Sequence, residues 1–236
     1  MITVRKAEDR GRFQIGWLDS RHSFSFGHYY DPQHMGVSLL RVINDDRITP
    51  GAGFDTHPHR DMEIVSYVLD GELVHRDSMG NGSVIRPHDV QRMSAGTGVT
   101  HSEFNPSQEN GTNFLQIWLL PKYKGIKPGY EQKHFAPEER SGKLQLLISP
   151  NGDQGSISAN TDASMYGAIL HDGEVVEHAL ASEQVIYVHV ARGAVTLNGE
   201  MLIAGDGATI SDEQTAKLIG QGKAEILLFE LPREVH

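Results

Sequence analysis

Two short apolar segments flank a glycine in Ile64-Val-Ser-Tyr-Val-Leu-Asp-Gly-Glu-Leu-Val74, a pattern typical of a strand, a turn and a second strand. This stretch aligns without a gap to Ile186-Tyr-Val-His-Val-Ala-Arg-Gly-Ala-Val-Thr196, so that Gly71 falls on Gly193. Any two β domains share hairpins of this kind, but the ungapped match favours an internal duplication. The chain is therefore expected to contain two related β domains.

Strand-like segments recur along the whole 236-residue chain, separated by Gly, Pro or Asn-Gly signals. No stretch sustains a helical apolar period over three turns, so helices should be few and short. The pattern predicts an all-β sandwich or barrel. The strand-like segments cover residues 36–43, 62–69, 113–119, 143–148, 184–190 and 224–231.

A polar stretch rich in Pro and Gly runs from residue 120 to 130 and continues through 136–142. Such a composition is typical of a linker between domains. We therefore predict an N-terminal domain over 1–130 and a C-terminal domain over 131–236.

Cysteine is absent from the chain, whereas histidine occurs 13 times. The absence of cysteine excludes disulfides, thiolate metal sites and a cysteine nucleophile. Imidazole and carboxylate groups are left as metal ligands, so any metal site should have nitrogen and oxygen donors.

The charge balance argues against nucleic acid as a direct partner. The 21 basic and 31 acidic residues give a net charge of -10, and a phosphate backbone requires a basic face. No run approaches the roughly 18 apolar residues of a membrane-spanning helix. The first residues also lack the apolar core of a signal peptide. We expect a cytoplasmic monomer without membrane contact.

The sharpest local feature is a pair of histidines, His57 and His59, two positions apart around Pro58. On an extended chain both side chains leave the same face and can share one metal ion. Proline cannot donate a ladder hydrogen bond, which places the pair at a strand end or edge. His101 and Glu103 repeat the spacing after a Gly-Thr-Gly turn. If the two strands are neighbours, the combined donors suit Fe(II), Mn(II), Ni(II), Cu(II) or Zn(II).

These motifs resemble those of the cupin family. The run from Gly51 to Gly71 resembles the first cupin motif, and Gly98-x-x-His101-x-x-x-Asn105 resembles the second. Nearly the whole chain is similar to the pirin family of two-domain cupins, notably in Asp19-Ser-Arg-His-Ser-Phe-Ser-Phe26, His57-Pro-His59-Arg, Ser94-Ala-Gly-Thr-Gly98 and His101-Ser-Glu103. The resemblance implies two tandem cupin domains, each a jelly-roll-like β-barrel.

The resemblance to pirins also implies a metal site. Pirins carry one mononuclear metal ion, usually iron, on three histidines and one glutamate. These map onto His57, His59, His101 and Glu103, so Fe(II) is expected first, with Ni, Cu, Mn or Zn as alternatives. Glu63, the usual acid of the first cupin motif, is expected to be structural or to lie behind the ligands.

The implied activity is that of a quercetin 2,3-dioxygenase, in which a flavonol reacts with O2 and the heterocycle opens with release of carbon monoxide. Glu103 is then the nearest candidate general base and the expected catalytic residue. Two alternatives stay open. One is a metal-dependent regulatory protein that acts through protein partners, as animal pirins do. The other is an isomerase or a sugar- or amine-binding cupin with the same ligands.

The C-terminal domain is expected to lack the metal ligands, because His57 and His59 align with Ala179 and Ala181. We expect His75 to be hydrogen-bonded structure rather than a fifth ligand. Packing among aromatic residues is favoured over a cavity mouth for His22, His28 and His34. No role is assigned to His88, His134, His171, His189 and His236.

Overall fold

Strands make up most of the chain in the structure, a computed structural model that describes residues 1–234. Val235 and His236 lie outside the described residues. The helical segments of residues 1–234 are three short 3-10 turns, Ala7–Asp9, Pro137–Glu139 and Asp153–Gly155. None of the described helices has the length and apolar character needed to cross a membrane. The predicted all-β fold with few, short helices is confirmed.

The strands follow one another closely along the sequence. Those of the N-terminal half are β1 (Ile2–Arg5), β2 (Gly11–Ile15), β3 (Leu18–His22), β4 (Leu40–Ile48), β5 (Gly53–His59), β6 (Glu63–Asp70), β7 (Leu73–Asp77), β8 (Gly82–Ile85), β9 (Asp89–Ser94), β10 (Val99–Phe104), β11 (Thr112–Leu119) and β12 (Gly129–His134). Those of the C-terminal half are β13 (Gln145–Ser149), β14 (Ile157–Ser158), β15 (Ser164–Leu170), β16 (Val175–Ala179), β17 (Gln184–Arg192), β18 (Ala194–Leu197), β19 (Glu200–Ile203), β20 (Gly207–Ile210), β21 (Thr215–Gly220) and β22 (Ala224–Pro232).

The same pair of sheets occurs twice. One half has a seven-stranded sheet in the order β12-β9-β6-β11-β4-β3-β2 and a four-stranded sheet in the order β5-β10-β7-β8. The other half has the orders β1-β20-β17-β22-β15-β13-β14 and β16-β21-β18-β19. The hairpin β6–β7 around Gly71 has the same position in the N-terminal half as the hairpin β17–β18 around Gly193 has in the C-terminal half. The predicted fold of two tandem cupin barrels is confirmed.

The edge strands tie the halves together. The first strand, β1, pairs with β20 and so takes, in the C-terminal sheet, the place that β12 has in the N-terminal sheet. Strand β12 itself pairs with β9 and runs across the predicted boundary at residue 130. The division into 1–130 and 131–236 stays a prediction.

Alternating residues of the seven-stranded sheets face two different interiors. Val65 and Tyr67 of β6 pack in one apolar cluster with Tyr187 and Phe229 of the other half. Their neighbour Ser66 points the opposite way, into the N-terminal barrel, where its hydroxyl group contacts Glu103. The C-terminal barrel is filled by a continuous apolar cluster that includes Ile186, Val188, Leu228 and Ile226.

Candidate metal centre

Strands β5 and β10 bring three of the predicted ligands together. His57 lies directly opposite His101 in the antiparallel pairing. The ring centroids of His57 and His101 are 4.5 Å apart, and both distances to the ring of His59 are 4.8 Å. One ligand atom from each ring lies within 4.8 Å of the others. As predicted from Pro58, β5 is the edge strand of its sheet.

The three imidazoles are suited to bind a metal ion. Burial and the neighbouring imidazoles lower the pKa of His59 to about 4 and that of His101 to about 3, so both rings are neutral at pH 7. His57 Nδ1 lies 2.7 Å from the backbone carbonyl oxygen of Asp55, which leaves its Nε2 free as a ligand. His101 Nε2 is buried without a hydrogen-bond partner, a costly state that a metal ion would relieve.

Glu103 lies on the same strand as His101 but belongs to a second donor group. A β-bulge between the two residues shifts the register with β5. The second group consists of His75, His101 and Glu103. Ser66 Oγ donates to Glu103 Oε1 at 3.1 Å, and Gln116 Nε2 donates to Oε2 at 2.9 Å. The four predicted ligands therefore fall into two overlapping groups that share His101.

A buried chain of hydrogen-bonding groups lies behind His101. His75 Nε2 is 3.1 Å from Asp77 Oδ2, and His75 Nδ1 is 3.4 Å from His101 Nδ1. Burial alone would raise the pKa of Asp77, but hydrogen bonds from Asn81, His75 and the backbone N–H of Met79 hold it below its ordinary value. His75 therefore donates to a carboxylate and accepts from His101 Nδ1–H, which directs the lone pair of His101 Nε2 into the site.

Polar residues also cross the inner face of the seven-stranded sheet. Five neighbouring strands each contribute one residue, and each of these residues is paired with the one on the adjacent strand. All five residues are buried. This polar row consists of His22, Asn44, Gln116, Ser66 and Gln91. The corresponding partners in the C-terminal sheet are Ala208, Val188, Leu228 and Tyr166. The N-terminal barrel is thus lined for a polar occupant, whereas the C-terminal barrel is packed with apolar side chains and a tyrosine.

A cavity of about 130 Å³ lies in the same barrel, lined by none of the four predicted ligands but by aromatic residues that lead to them. Its aromatic walls include Phe54, whose ring centroid is 6.3 Å from that of His57, and Phe26. Phe26 packs edge-on against Trp118 at 5.3 Å, and Trp118 packs against His59 at 5.1 Å. These contacts connect the cavity to the predicted ligands on two sides.

Two of the N-terminal histidines also line this cavity. His22 and His28 lie on its wall, although their packing among aromatic residues was the favoured expectation. His22 does pack edge-on against Phe26, with ring centroids 5.4 Å apart. His34 instead contacts Asp31, with Nδ1 2.7 Å from Oδ2. For His22, packing and lining the cavity therefore coexist, whereas His28 lines the cavity as an exposed residue.

Asp46 adds a buried carboxyl group to the same cavity. Burial and, to a smaller extent, the carboxylates of Glu103 and Asp45 raise the pKa of Asp46 to about 7, against the opposing effect of a hydrogen bond from Ser20. Sequence reasoning missed this residue and the polar row. The predicted strand 36–43 stops at the turn-forming run Asn44-Asp45-Asp46, whereas β4 continues to Ile48 because β3 and β11 pair with it on both sides.

The other acidic and imidazole candidates have structural contacts. Glu63 is buried and accepts hydrogen bonds from Ser94 Oγ at 2.8 Å and from the backbone N–H of Asn160 at 3.2 Å. Burial raises its pKa. In the C-terminal half, His178 contacts Glu230 with 2.7 Å between Nε2 and Oε2. Within residues 1–234, both groups of metal-ligating side chains lie in the N-terminal half.

Comparisons with known proteins show the family to which this two-barrel fold belongs. Residues 3–119 match the family model described as Pirin, and residues 146–231 match the model described as quercetinase C-terminal cupin domain. The chain is 47% identical over 232 residues to a quercetin 2,3-dioxygenase from Escherichia coli strain K12, covering 98% of this chain and 99% of the relative. The chain belongs to the pirin family.

This pirin is also similar to solved structures. The bacterial pirin YhhW from Escherichia coli, crystallised in complex with nickel(II), is 46% identical, with a TM-score of 0.95 over 99% of this chain and 100% of that chain. The protein YhaK from Escherichia coli is 30% identical, with a TM-score of 0.74 over 94% of each chain. The resemblance stated from the sequence motifs is thereby confirmed, as is the likeness of this pirin to quercetin 2,3-dioxygenases.

Proposed function

We propose that this pirin is a metal-dependent dioxygenase that opens the heterocycle of a flavonol such as quercetin with O2 and releases carbon monoxide. The observation that carries the proposal is the convergence of the imidazoles of His57, His59 and His101 beside Glu103. The name of the Escherichia coli relative at 47% identity supports the same substrate class.

The metal ion would be held by His57, His59, His101 and Glu103. Three neutral imidazole nitrogens and one carboxylate fit a divalent first-row transition ion and disfavour ions that prefer thiolates. Fe(II) is proposed from the family resemblance, and nickel(II) in the related YhhW shows that a similar chain accepts another ion. When bound, such an ion supplies Lewis acidity that lowers the pKa of a coordinated hydroxyl group.

Glu103 is proposed as the base that accepts the proton of the flavonol 3-hydroxyl group. Its two oxygens accept hydrogen bonds from Ser66 and Gln116, which keep the carboxylate oriented inside the barrel. Phe54 packs against His57 and Trp118 packs against His59, and Phe26 packs against Trp118 in turn. The chain thus supplies a proton acceptor, an orienting pair of donors and aromatic surfaces beside the imidazoles.

The activity is tested with anaerobically metallated protein mixed with quercetin and O2. We expect loss of flavonol absorbance together with one molecule of carbon monoxide released for each flavonol consumed. Quercetin binding without turnover or carbon monoxide would contradict the proposal and favour the regulatory alternative.

The role of Glu103 is tested by Glu103→Gln, with Glu230→Gln as a matched control because Glu230 is a histidine-paired glutamate of the C-terminal half. Loss of a general base slows turnover by about 10²–10⁴-fold. Glu230→Gln should retain full activity. Glu103→Gln with normal metal content and full turnover would show that Glu103 is not the base.

The same proposal assigns the chemistry to residues 1–130 and a structural role to residues 131–236. The two donor groups are complete within one chain, so a monomer suffices for the site. Sedimentation of the metallated protein tests this point. Activity confined to an oligomer would contradict it.

A further inference from the structure

Four polar side chains form a compact square on two neighbouring strands of the N-terminal barrel. In the pairing of β3 with β4, Ser20 stands opposite Asp46 and His22 stands opposite Asn44. Because residues two apart on a strand share a face, all four side chains point the same way. Each is at least nine-tenths buried, with 2–4% of its surface exposed. We call these four residues the polar square.

Each member of the polar square has a buried polar atom without a hydrogen-bond partner. These atoms are Ser20 Oγ, His22 Nδ1, Asn44 Oδ1 and Asp46 Oδ1. Native proteins leave few buried polar groups unpaired, because each one loses its hydrogen bonds to water without compensation. Ser20 stands opposite Asp46, and a hydrogen bond between them lowers the pKa of Asp46, so these two groups can satisfy each other. His22 Nδ1 and Asn44 Oδ1 are left without a partner on the same face and indicate a site that a ligand completes.

The corresponding positions of the C-terminal half do not repeat the polar square. In the C-terminal sheet, Val188 and Val190 of β17 are connected through their partners on β22 to Tyr166 and Ala168 of β15. These two β15 positions correspond to Asn44 and Asp46 in the N-terminal half. Ala168 lies in the apolar core of that barrel. The fold therefore does not require polar residues at these positions.

All four members of the polar square line the cavity of about 130 Å³ in the same barrel as the imidazoles. A cavity of about 150 Å³ holds one benzene molecule, so this one is the size of a single aromatic ring. Phe13, Phe26 and Phe54 supply aromatic surfaces at its sides. An occupant that fits is one flat ring with polar substituents directed at the polar square.

The unpartnered atoms favour hydroxyl substituents on that ring. The carboxyl oxygen of Asp46 and the amide oxygen of Asn44 accept hydrogen bonds, whereas Ser20 and the ring nitrogen of His22 can take either role. A phenolic O–H group donates and accepts, and so can pair with any of the four. An unsubstituted ring would leave His22 Nδ1 and Asn44 Oδ1 unpaired.

We propose that the polar square binds the hydroxyl groups of the pendant ring of the flavonol and so selects substrates that are hydroxylated on it. This inference rests on the proposed function, which supplies the flavonol. The pendant ring is a single ring joined to the carbon next to the reacting 3-hydroxyl group. It fits a one-ring cavity whose aromatic residues lead to the imidazoles, whereas the fused pair of rings is too large.

The test measures binding rather than turnover. Quercetin, kaempferol and galangin carry two, one and no hydroxyl groups on the pendant ring and share the rest of the structure. Their dissociation constants are measured by anaerobic calorimetry with the metallated full chain. A neutral hydrogen bond contributes about 2–12-fold in affinity, so quercetin should bind about 5–100-fold more tightly than galangin. Equal affinities for the two flavonols would overturn the proposal.

The Asn44→Leu variant removes one acceptor and keeps the number of side-chain heavy atoms. It should bring the quercetin-to-galangin ratio closer to one, leave galangin affinity within about twofold, and leave the melting temperature equal or higher, because an unpaired buried polar group is removed. An unchanged ratio would overturn the proposal. Ser20→Ala, which removes a single oxygen, serves if Asn44→Leu fails to fold. Ser149→Ala is the matched control, because Ser149 is a buried strand serine with a partner, Ser156.

The two proposals fail in different ways. Selective binding of hydroxylated flavonols without release of carbon monoxide would refute the dioxygenase activity and support the polar square as a binding site. Turnover of quercetin with release of carbon monoxide, together with equal affinities for quercetin and galangin, would support the dioxygenase activity and refute the polar square as a selectivity site.

Discussion

Replacement of His75 by phenylalanine tests whether the buried chain behind His101 sets its affinity for metal. His75→Phe removes both ring nitrogens but keeps a ring beside Tyr130, whose centroid lies 5.0 Å from that of His75. His101 then loses the acceptor for its Nδ1–H, and Asp77 loses a donor. Both effects weaken the orientation of His101 Nε2 toward the site.

The expected magnitude follows from the geometry. Loss of a group that orients a metal-binding histidine costs about 10–100-fold in metal affinity. The contact between His75 and His101 is long, at 3.4 Å, and the other proposed ligands are untouched. We therefore expect the low end of that range, about tenfold or about 1.4 kcal/mol. The unfolding free energy should also fall by about 1–3 kcal/mol, because Asp77 is left short of a partner.

The assay is a competition titration of nickel(II) against a chelator at pH 7.5. His178→Phe is the matched control, because His178 also pairs with a carboxylate, that of Glu230, and packs at a tilt against Tyr166, with ring centroids 4.9 Å apart. The control should lose stability without losing metal affinity. A His75→Phe affinity within twofold of the unmodified protein would refute the orienting role.

Three further outcomes follow from the structure. The pKa of Asp46 is raised to about 7, so the stability contributed by its protonated form is complete below about pH 4 and is lost as the pH rises to 7. In urea unfolding, Asp46→Asn should therefore be up to about 4 kcal/mol more stable than the unmodified protein at pH 8 and about equally stable at pH 4. Arg140→Met should cost about 1.5–3 kcal/mol, because it removes a charged hydrogen bond of 2.8 Å from Arg140 Nη1 to Glu225, while Tyr67 and Arg192 still contact Glu225; equal midpoints in urea would contradict this. Gly193→Ala should lower the melting temperature, because the backbone there has φ +71° and a Cβ atom would meet the carbonyl oxygen of Lys223 at 2.1 Å; an unchanged melting temperature would show that the turn can relax.

The sequence predicts the architecture well, because its signals are local. The strand, glycine and strand pattern around Gly71 and Gly193 appears as the hairpins β6–β7 and β17–β18. The spacing of His57 and His59 correctly predicts side chains that share one face. By contrast, the pairing of β1 with β20 depends on residues about 200 positions away, and no local pattern carries it.

The interior of the site is less predictable. The predicted strand 36–43 ends before the polar run from Asn44 to Asp46, but β3 and β11 pair with β4 on both sides and extend it through this run. Alternating polar residues in a strand normally indicate the solvent side, whereas Gln116 and Ser66 face the barrel interior. The bulge that separates Glu103 from His101 arises from pairing with β5, so the sequence could not reveal it.

The proposed function depends on one metal ion held in the N-terminal half by three histidines and Glu103. The most direct test is the metal content of purified protein from the native host, measured together with that of His57→Ala and His101→Ala. We expect one equivalent of metal per unmodified chain and almost none in either variant. Equal metal content in all three proteins would contradict the account.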